Sequence, residues 1–283
     1  MHGTTSGIAA FATLLICGLP RPQAADSAPG LPFDLFQRHL IVTKGAIGPL
    51  NDLNLLVDTG TIPSVVAERI ARKLHLRPVA SQLVAFGKQV TVQSAVVDGI
   101  RMGPLQSGPV PVAVGDFSYL HGVQVDAIIG LDVLARSSFT IDYQSHRLRF
   151  AGAGPEESTA PLEVAWPFVT VRMVVAGQPV RLLVDTGSPD LVLFKARIPA
   201  ALSHMPWKGD KTVQYASGPA RLTRLELRHP GLGTHTWDTL SAWALDRPLD
   251  GYPSTVGGVL GIAALKCRRV RFDFDGGEFG WTE

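Results

Sequence analysis

The sequence predicts a mainly β protein built from two similar β-barrel-like lobes with a few short helices. A six-residue phrase, Leu55 to Gly60, recurs as Leu182 to Gly187, so that Asp58 and Asp185 lie 127 residues apart in a chain of 283. Short runs of alternating apolar and polar residues between turn residues are typical of strands with one solvated face. The 46% of hydrophobic residues supplies a sizeable core and, with only 18% charged, argues against a disordered chain.

The repeat extends well beyond the shared phrase. A second apolar segment ends in Gly130 in the first half and in Gly261 in the second, 72 and 76 residues after the respective aspartates. A repeat of this length is the size of a domain and too long for a solenoid unit. The predicted organisation is a first lobe over 31–150, a Gly- and Pro-containing linker over 151–161, and a second lobe over 162–283.

Helix signals are few. The best candidate runs from Val66 to Leu76, with apolar residues on one face and Ser64 available as its N-cap. A further short helix is predicted after each of Gly130 and Gly261, where apolar residues are closely spaced.

The repeated aspartates are the strongest functional signal. A carboxylate at the end of a buried strand is costly unless something pairs with it. Two such carboxylates on two similar half-molecules suggest that each is the partner of the other. Two neighbouring carboxyl groups that share one proton can act together as acid and base.

On these residues the chain resembles the aspartic protease superfamily. Asp-Thr-Gly after an apolar strand, followed by two apolar residues and a glycine, is similar to one lobe of such an enzyme, and two lobes in one chain resemble the pepsin architecture. The wording around Gly130 is more similar to the retroviral-type (retropepsin-like) lobe of many bacterial exported proteins. The resemblance implies a bilobal acid-protease fold and a cofactor-free aspartic endopeptidase with Asp58 and Asp185 as its catalytic pair.

The resemblance also implies supporting roles for the residues around the pair. Thr59 and Thr186 would hydrogen-bond across the lobe interface, and Gly60 and Gly187 would let backbone N–H groups approach the carboxylates. The remaining supporting positions are Ser188, Gly130 and Gly261, of which the two glycines would buttress the active loops.

A flap that closes over substrate is expected about 30 residues after each aspartate. The candidates are Phe86 and Gly87 in the first lobe, and Tyr215, Ser217 and Gly218 in the second. The first lobe lacks the tyrosine that a pepsin flap carries. An ordinary glycine hairpin therefore remains the alternative at both places.

Other acidic and histidine residues favour structural interpretations. Asp132 has Ala263 as its counterpart in the second half, which favours helix capping over a role in the pair. Asp142 and Asp273 recur on a terminal strand and are expected to be structural. His229 and His235 lack a third ligand, so no metal site is predicted.

The N-terminus predicts export. An uncharged apolar run from Ile8 to Leu19 precedes small residues at Ala24 and Ala25, which is typical of a signal peptide over residues 1–25 and of a periplasmic or secreted protein. A retained membrane anchor is the alternative, although the run is short for a span. After cleavage only Cys267 remains, which excludes an internal disulfide, and it is expected to be a small hydrophobic residue buried in the core.

The charge balance of the chain argues against nucleic acid as its main binding partner. With 26 basic and 24 acidic residues the chain lacks the basic excess of a nucleic-acid-binding protein. The expected partner is a polypeptide substrate, and the expected state is a monomer without a stable membrane span after signal cleavage. Two alternatives stay open: a catalytically silent bilobal peptide-binding protein, and lobes that pair between chains.

Overall fold

The computed structural model describes residues 30–85, 88–150, 154, 156–165, 167–198, 209–215, 218–245 and 252–283. In this part of the chain the structure is mainly β with short helices, so the predicted fold class is confirmed. Among the described residues, no helix has the length and apolar character needed to cross a membrane. The predicted signal peptide lies outside the described residues.

The described residues of the first lobe form twelve strands and two short helices. Its strands are β1 (Leu31–Phe36), β2 (Leu40–Ile47), β3 (Leu50–Val57), β4 (Val65–Ala67), β5 (Val79–Ala85), β6 (Lys88–Val97), β7 (Ile100–Met102), β8 (Leu105–Gln106), β9 (Val110–Gly115), β10 (Ala127–Ile129), β11 (Phe139–Asp142) and β12 (Arg147–Phe150). Its helices are α1 (Glu68–Lys73) and α2 (Leu131–Leu134).

The second lobe repeats this plan. Its strands are β13 (Ser158–Pro161), β14 (Glu163–Ala165), β15 (Phe168–Val175), β16 (Gln178–Asp185), β17 (Leu191–Phe194), β18 (Asp210–Tyr215), β19 (Gly218–Arg228), β20 (Gly231–Leu232), β21 (His235–Thr236), β22 (Thr239–Leu245), β23 (Gly258–Gly261), β24 (Arg269–Asp273) and β25 (Glu278–Thr282). Its described helical segments are two 3-10 turns, Lys195–Arg197 and Ile262–Leu265.

The two lobes share one topological unit around the repeated phrase. In the first lobe β10 lies between β3, to which it is parallel, and β4, to which it is antiparallel. In the second lobe β23 lies in the same way between β16 and β17. Both central strands are buried on both faces, which explains why they read as uninterrupted apolar runs. The duplication in sequence is therefore a duplication in structure.

A six-stranded sheet joins the lobes within the chain. Its order is β13, β25, β24, β11, β12 and β1, and the lobes meet where β11 pairs antiparallel with β24. Phe139 and Phe272 are register partners at this junction, and their rings stack with centroids 4.8 Å apart. A continuous hydrogen-bonded ladder and a buried aromatic cluster thus fix the lobes to each other.

Two boundaries predicted from sequence are wrong. Helix α1 begins at Glu68 because residues 65–67 pair with β9 and β10 as β4, and its N-cap residue Ala67 makes no side-chain cap. The Ser64 hydroxyl donates to Asp132 Oδ1 and does not cap the helix. The predicted linker is wrong for Ser158–Pro161, which form β13 against β25. The short helices predicted after Gly130 and Gly261 are confirmed.

Candidate active site

The repeated aspartates lie at the ends of equivalent strands. Asp58 directly follows β3, and its backbone N–H donates to the carbonyl of Ile129 on the parallel neighbour at 3.0 Å. Asp185 is the last residue of β16 and is the register partner of Gly261 on β23. The same strand arrangement therefore delivers one carboxyl group from each lobe to the interface between the lobes.

The two carboxyl groups are in direct contact. Asp58 and Asp185 lie close enough for each carboxyl group to shift the pKa of the other. The N–H of Gly60 donates to Asp58 Oδ1 at 2.8 Å, and the N–H of Gly187 donates to Asp185 Oδ1 at 2.7 Å. Each glycine also packs against the opposite aspartate, because a Cβ at Gly60 would lie 2.5 Å from Asp185 Cγ and one at Gly187 would lie 2.8 Å from Asp58 Cγ. Any side chain at these glycines would push the carboxyl groups apart.

The threonines of the repeated phrase bridge the lobes. Thr59 Oγ1 donates to the carbonyl of Val184 at 2.9 Å and accepts the N–H of Thr186 at 3.1 Å. Thr186 Oγ1 donates to the carbonyl of Val57 at 3.0 Å and accepts the N–H of Thr59 at 3.0 Å. Both threonines are buried. These four bonds fix the spacing of the two strand ends that carry the aspartates.

The surroundings of the two carboxyl groups differ. Thr61 Oγ1 donates to Asp58 Oδ2 at 2.7 Å. Ser188, which holds the equivalent position in the second lobe, directs its hydroxyl to the carbonyl of Asp190 at 3.4 Å instead. The side chain of Asp185 thus lacks the hydroxyl donor that Asp58 has.

This difference separates the two acids. Burial raises the pKa of Asp58, but the hydrogen bonds from Thr61 and Gly60 oppose that effect. Burial raises the pKa of Asp185 as well, and the negative charge of Asp58 raises it further, to well above its ordinary value. Of the two, the Asp58 carboxyl is the easier to ionise.

The two glycines that end the second apolar segments, Gly130 and Gly261, lie beneath these loops. A Cβ at Gly130 would collide with the carbonyl of Thr61, and one at Gly261 would collide with the backbone of Ser188 and Asp190. The N–H of Gly261 donates to the Asp190 carbonyl at 3.0 Å. Both glycines therefore let the strand approach the loop that follows each aspartate.

In the first lobe, hydrogen bonds join Asp132, Ser64 and Gly130 beneath the loop that follows Asp58. Its Oδ1 accepts the Ser64 hydroxyl at 2.8 Å, and that hydroxyl accepts the N–H of Gly130 at 2.9 Å. Asp132 makes no cap bond to α2, so the helix-capping prediction is wrong. Asp142 and Asp273 accept backbone N–H groups of their turns and pair with Arg149 and Arg271, consistent with structural roles.

A cleft of about 1100 Å³ opens over the two aspartates, between the lobes. Its wall is largely apolar and takes side chains from both lobes, among them Leu40, Ile62, Phe117, Phe168, Tyr252 and Val259. Polar and charged groups lie at intervals on this wall, including His39, Asp116 and Asp190. Asp58 and Asp185 both lie on the wall of this cleft.

The described strands on either side of each predicted flap region reach the cleft. The hairpin of β5 and β6 contributes Gln82 and Val92 to the wall, and that of β18 and β19 contributes Val213. Tyr215 and Gly218 are register partners at the tip of the second hairpin. Phe86, Gly87 and Ser217 lie outside the described residues, so a flap role stays a prediction.

Thr61, His39, Tyr119 and Lys211 were not predicted as site residues, and Ser188 was predicted without its contact. Thr61 and Ser188 occupy equivalent places in the two lobes but donate to different acceptors. The sequence alone does not show this difference, because it depends on the conformation of the loops. His39 and Tyr119 come to the wall from the β1–β2 turn and the β9–β10 loop. Lys211 pairs with Asp190 and lies over the ring of Trp243 at 4.1 Å, tying the second hairpin to the loop of Asp185.

Histidine and cysteine side chains elsewhere have structural contacts. His235 Nε2 lies 3.2 Å from Glu283 and its ring packs on Trp237. Cys267 is unpaired and partly buried, and burial raises its pKa to about 12. Across the described ranges, no three His, Cys, Asp or Glu side chains converge as a metal-binding group would require.

Fold and site together define a two-lobed β protein in which each lobe supplies one carboxyl group to a shared cleft. Comparison with family models agrees with this description. The model described as aspartyl protease matches residues 44–133 and again 170–264, one match in each lobe and together more than half of the chain. The chain belongs to this family. Comparison with curated protein sequences gives no match.

Proposed function

We propose that the protein is an aspartic endopeptidase in which Asp58 and Asp185 activate a water molecule for attack on a peptide bond. One observation carries the proposal: two carboxyl groups, one from each lobe, lie side by side on the wall of an open cleft. Two carboxyl groups this close cannot both ionise cheaply, so they hold one proton between them. Membership of the aspartyl protease family supports the same conclusion.

The different surroundings of Asp58 and Asp185 indicate which of them is ionised and which is protonated before the reaction. Thr61 and Gly60 stabilise the ionised form of Asp58, whereas burial and the neighbouring charge keep Asp185 protonated. Asp58 is then the base that takes a proton from water, and Asp185 is the acid that donates its proton to the oxygen of the scissile carbonyl. The titration belongs to the pair as a unit.

The proton balance closes over one turnover. As the water oxygen bonds to the carbonyl carbon, one water proton passes to Asp58 and the Asp185 proton passes to the carbonyl oxygen, which gives a neutral tetrahedral diol. When the C–N bond breaks, the proton held by Asp58 passes to the leaving nitrogen. A hydroxyl proton of the diol returns to Asp185, and the pair regains its starting state.

The surrounding structure preorganises the two carboxyl groups for this exchange. The threonine bridge fixes the distance between the strand ends, and the N–H groups of Gly60 and Gly187 hold one oxygen of each carboxyl. A largely apolar cleft excludes bulk water around the bound chain, which strengthens the electrostatic interactions inside it.

Digestion of an unfolded protein by the purified full chain tests the proposal. We expect cleavage at internal bonds, identified by mass spectrometry of the products, and inhibition by a peptide mimic with a hydroxyl in place of the scissile carbonyl. The mimic should also raise the melting temperature of the wild type. Binding of the mimic without cleavage at any pH would contradict an endopeptidase and leave a silent peptide-binding protein.

We also propose that the protein is exported after removal of residues 1–25. The support is the apolar run and the small residues at Ala24 and Ala25. N-terminal sequencing of the protein recovered outside the cytoplasm should begin near residue 26. A mature protein that still begins at Met1 and sediments with membranes would favour a retained anchor.

A further inference from the structure

The loop between β9 and β10 is held rigidly against the cleft. The Asp116 carboxylate accepts the N–H and the hydroxyl of Ser118 at 3.0 and 2.6 Å, which closes a tight turn. Gln37 Nε2, from the turn between β1 and β2, donates to the carbonyl of His121 at 3.0 Å and ties the far end of the loop to the lobe. Phe117 is buried beneath it. The loop therefore presents Tyr119 to the cleft in a fixed position.

Tyr119 lies on the wall of the cleft close to Asp58. Its ring is half-buried and packs against the core of the first lobe. Burial, followed by the negative charges of Asp58 and Asp116, raises the pKa of Tyr119 to about 12. The hydroxyl therefore keeps its proton at every pH at which carboxyl groups titrate, and it remains a hydrogen-bond donor.

The donor capacity of Tyr119 is unused in the described part of the chain, where its hydroxyl makes no hydrogen bond. This hydroxyl is not among the buried side-chain atoms that lack a partner, so water can reach it and a bound chain can take the place of that water. A peptide bound in the cleft would bring an acceptor at every residue, because each backbone carbonyl has two lone pairs. The other described tyrosine of the wall, Tyr252, instead packs its ring against Phe168 and Phe194.

We propose that Tyr119 is a substrate-binding residue whose hydroxyl donates to a backbone carbonyl of the bound chain beside the scissile bond. It thereby holds the chain against the Asp58 side of the pair. The hairpin of β5 and β6 has no tyrosine in residues 79–97, so this contact comes from a fixed loop of the first lobe. The inference rests on the proposed function and adds to it a recognition contact that does not depend on substrate sequence.

Tyr119→Phe removes the hydroxyl and keeps the ring, and Tyr143→Phe is its matched control. Tyr143 is half-buried, packs edge-on against Phe33 and does not line the cleft. Loss of one neutral hydrogen bond predicts a roughly 2- to 10-fold fall in kcat/KM for Tyr119→Phe and an equal fall in affinity for the hydroxyl-bearing mimic. Tyr143→Phe should leave both quantities unchanged.

A spectroscopic measurement tests the position of Tyr119 independently of turnover. With 3-fluorotyrosine at position 119, the fluorine resonance should follow the titration of the aspartate pair and shift again on binding of the mimic. Asp58→Asn should largely abolish the pH-dependent shift. The same label at position 143 should not respond.

The outcomes separate this inference from the proposed function. If the wild type cleaves and binds normally while Tyr119→Phe is unchanged in kcat/KM and in mimic affinity, the inference alone is overturned. A fluorine resonance at position 119 that ignores both the pair and the mimic overturns it as well. A wild type that neither cleaves nor binds overturns the proposed function, and this inference falls with it.

Discussion

Removing the threonine hydroxyls that bridge the lobes should weaken both folding and activity. Thr59→Val removes a hydroxyl at nearly constant volume and leaves two buried groups without partners, the carbonyl of Val184 and the N–H of Thr186. At about 1–3 kcal/mol for each unsatisfied group, partly recovered by local relaxation, the expected loss in the free energy of unfolding is about 2–4 kcal/mol. Thr186→Val should cost about the same for the mirrored reason.

The double variant tests whether the four bonds act as one unit. Each hydroxyl accepts from the backbone of the other threonine, so the bonds close a ring across one interface. Once two of them are lost the lobes can shift, and the remaining two weaken. The double variant should therefore lose about 1–2 kcal/mol less than the sum of the singles.

Denaturant melts monitored by circular dichroism measure these losses, and Thr43→Val is the matched control. Thr43 is buried but makes a single bond within the first lobe, to the Pro32 carbonyl at 2.7 Å, so its loss should be near 1 kcal/mol with activity retained. Losses at Thr59 and Thr186 no larger than that of the control would refute the reasoning. So would a double variant whose loss equals the sum of the singles.

Three further predictions concern the electrostatics of the site and the packing of the protein. Thr61→Val removes the hydroxyl that donates to Asp58, so the pKa of that carboxyl group should rise and the acid limb of the pH–rate profile should move to higher pH. Ser188→Ala is the control: it removes no donor to Asp185 and should leave the acid limb in place. The raised pKa of Asp185 means that its contribution to stability is present below its ordinary value of 3.8 and is lost as pH rises through its folded value. Asp185→Asn should therefore melt at a higher temperature than the wild type at pH 7, and calorimetry at pH 3 should show the difference shrinking; a lower melting temperature at pH 7 would contradict this. Thr140→Val removes a buried hydroxyl that has no hydrogen-bond partner among the described residues, so it should be neutral or stabilising by up to about 1 kcal/mol in denaturant melts. A loss above about 1 kcal/mol would count against this prediction.

The sequence was informative wherever it was repeated. The apolar strands that end in Asp58 and Asp185 and the segments that end in Gly130 and Gly261 recur, and these elements form the same unit in both lobes. Repetition cancels the ambiguity of a single short motif, because two copies must fit one structural explanation. The fold class and the meeting of the two aspartates followed from it.

The parts that were missed lie where the lobes differ. Ser64 was expected to cap a helix, but its hydroxyl donates to Asp132, 68 positions away. The position equivalent to Asp132 in the second lobe is Ala263, which cannot accept such a bond. Local pattern could not reveal a bond between such distant residues. The contrast between Thr61 and Ser188 depends on loop conformation, which residue type alone does not determine.

Tertiary pairing also overrode composition in the connection between the lobes. Residues 151–161 contain the Gly and Pro expected of a linker, yet Ser158–Pro161 pair with β25 at the edge of the six-stranded sheet. Proline is tolerated at such an edge because no ladder partner requires its missing N–H. The pairing of these residues depends on β25 of the second lobe, so the sequence of the linker alone could not predict it.

A mixing experiment tests most directly whether one chain supplies both members of a catalytic pair. Asp58→Asn and Asp185→Asn are assayed on an unfolded protein, separately and after refolding together in equal amounts, with circular dichroism to confirm folding. The account predicts that each variant and the mixture are inactive beside an active wild type, because both carboxyl groups must come from the same chain. Near-normal turnover in either variant would contradict the pair, and activity restored in the mixture would show that the lobes pair between chains.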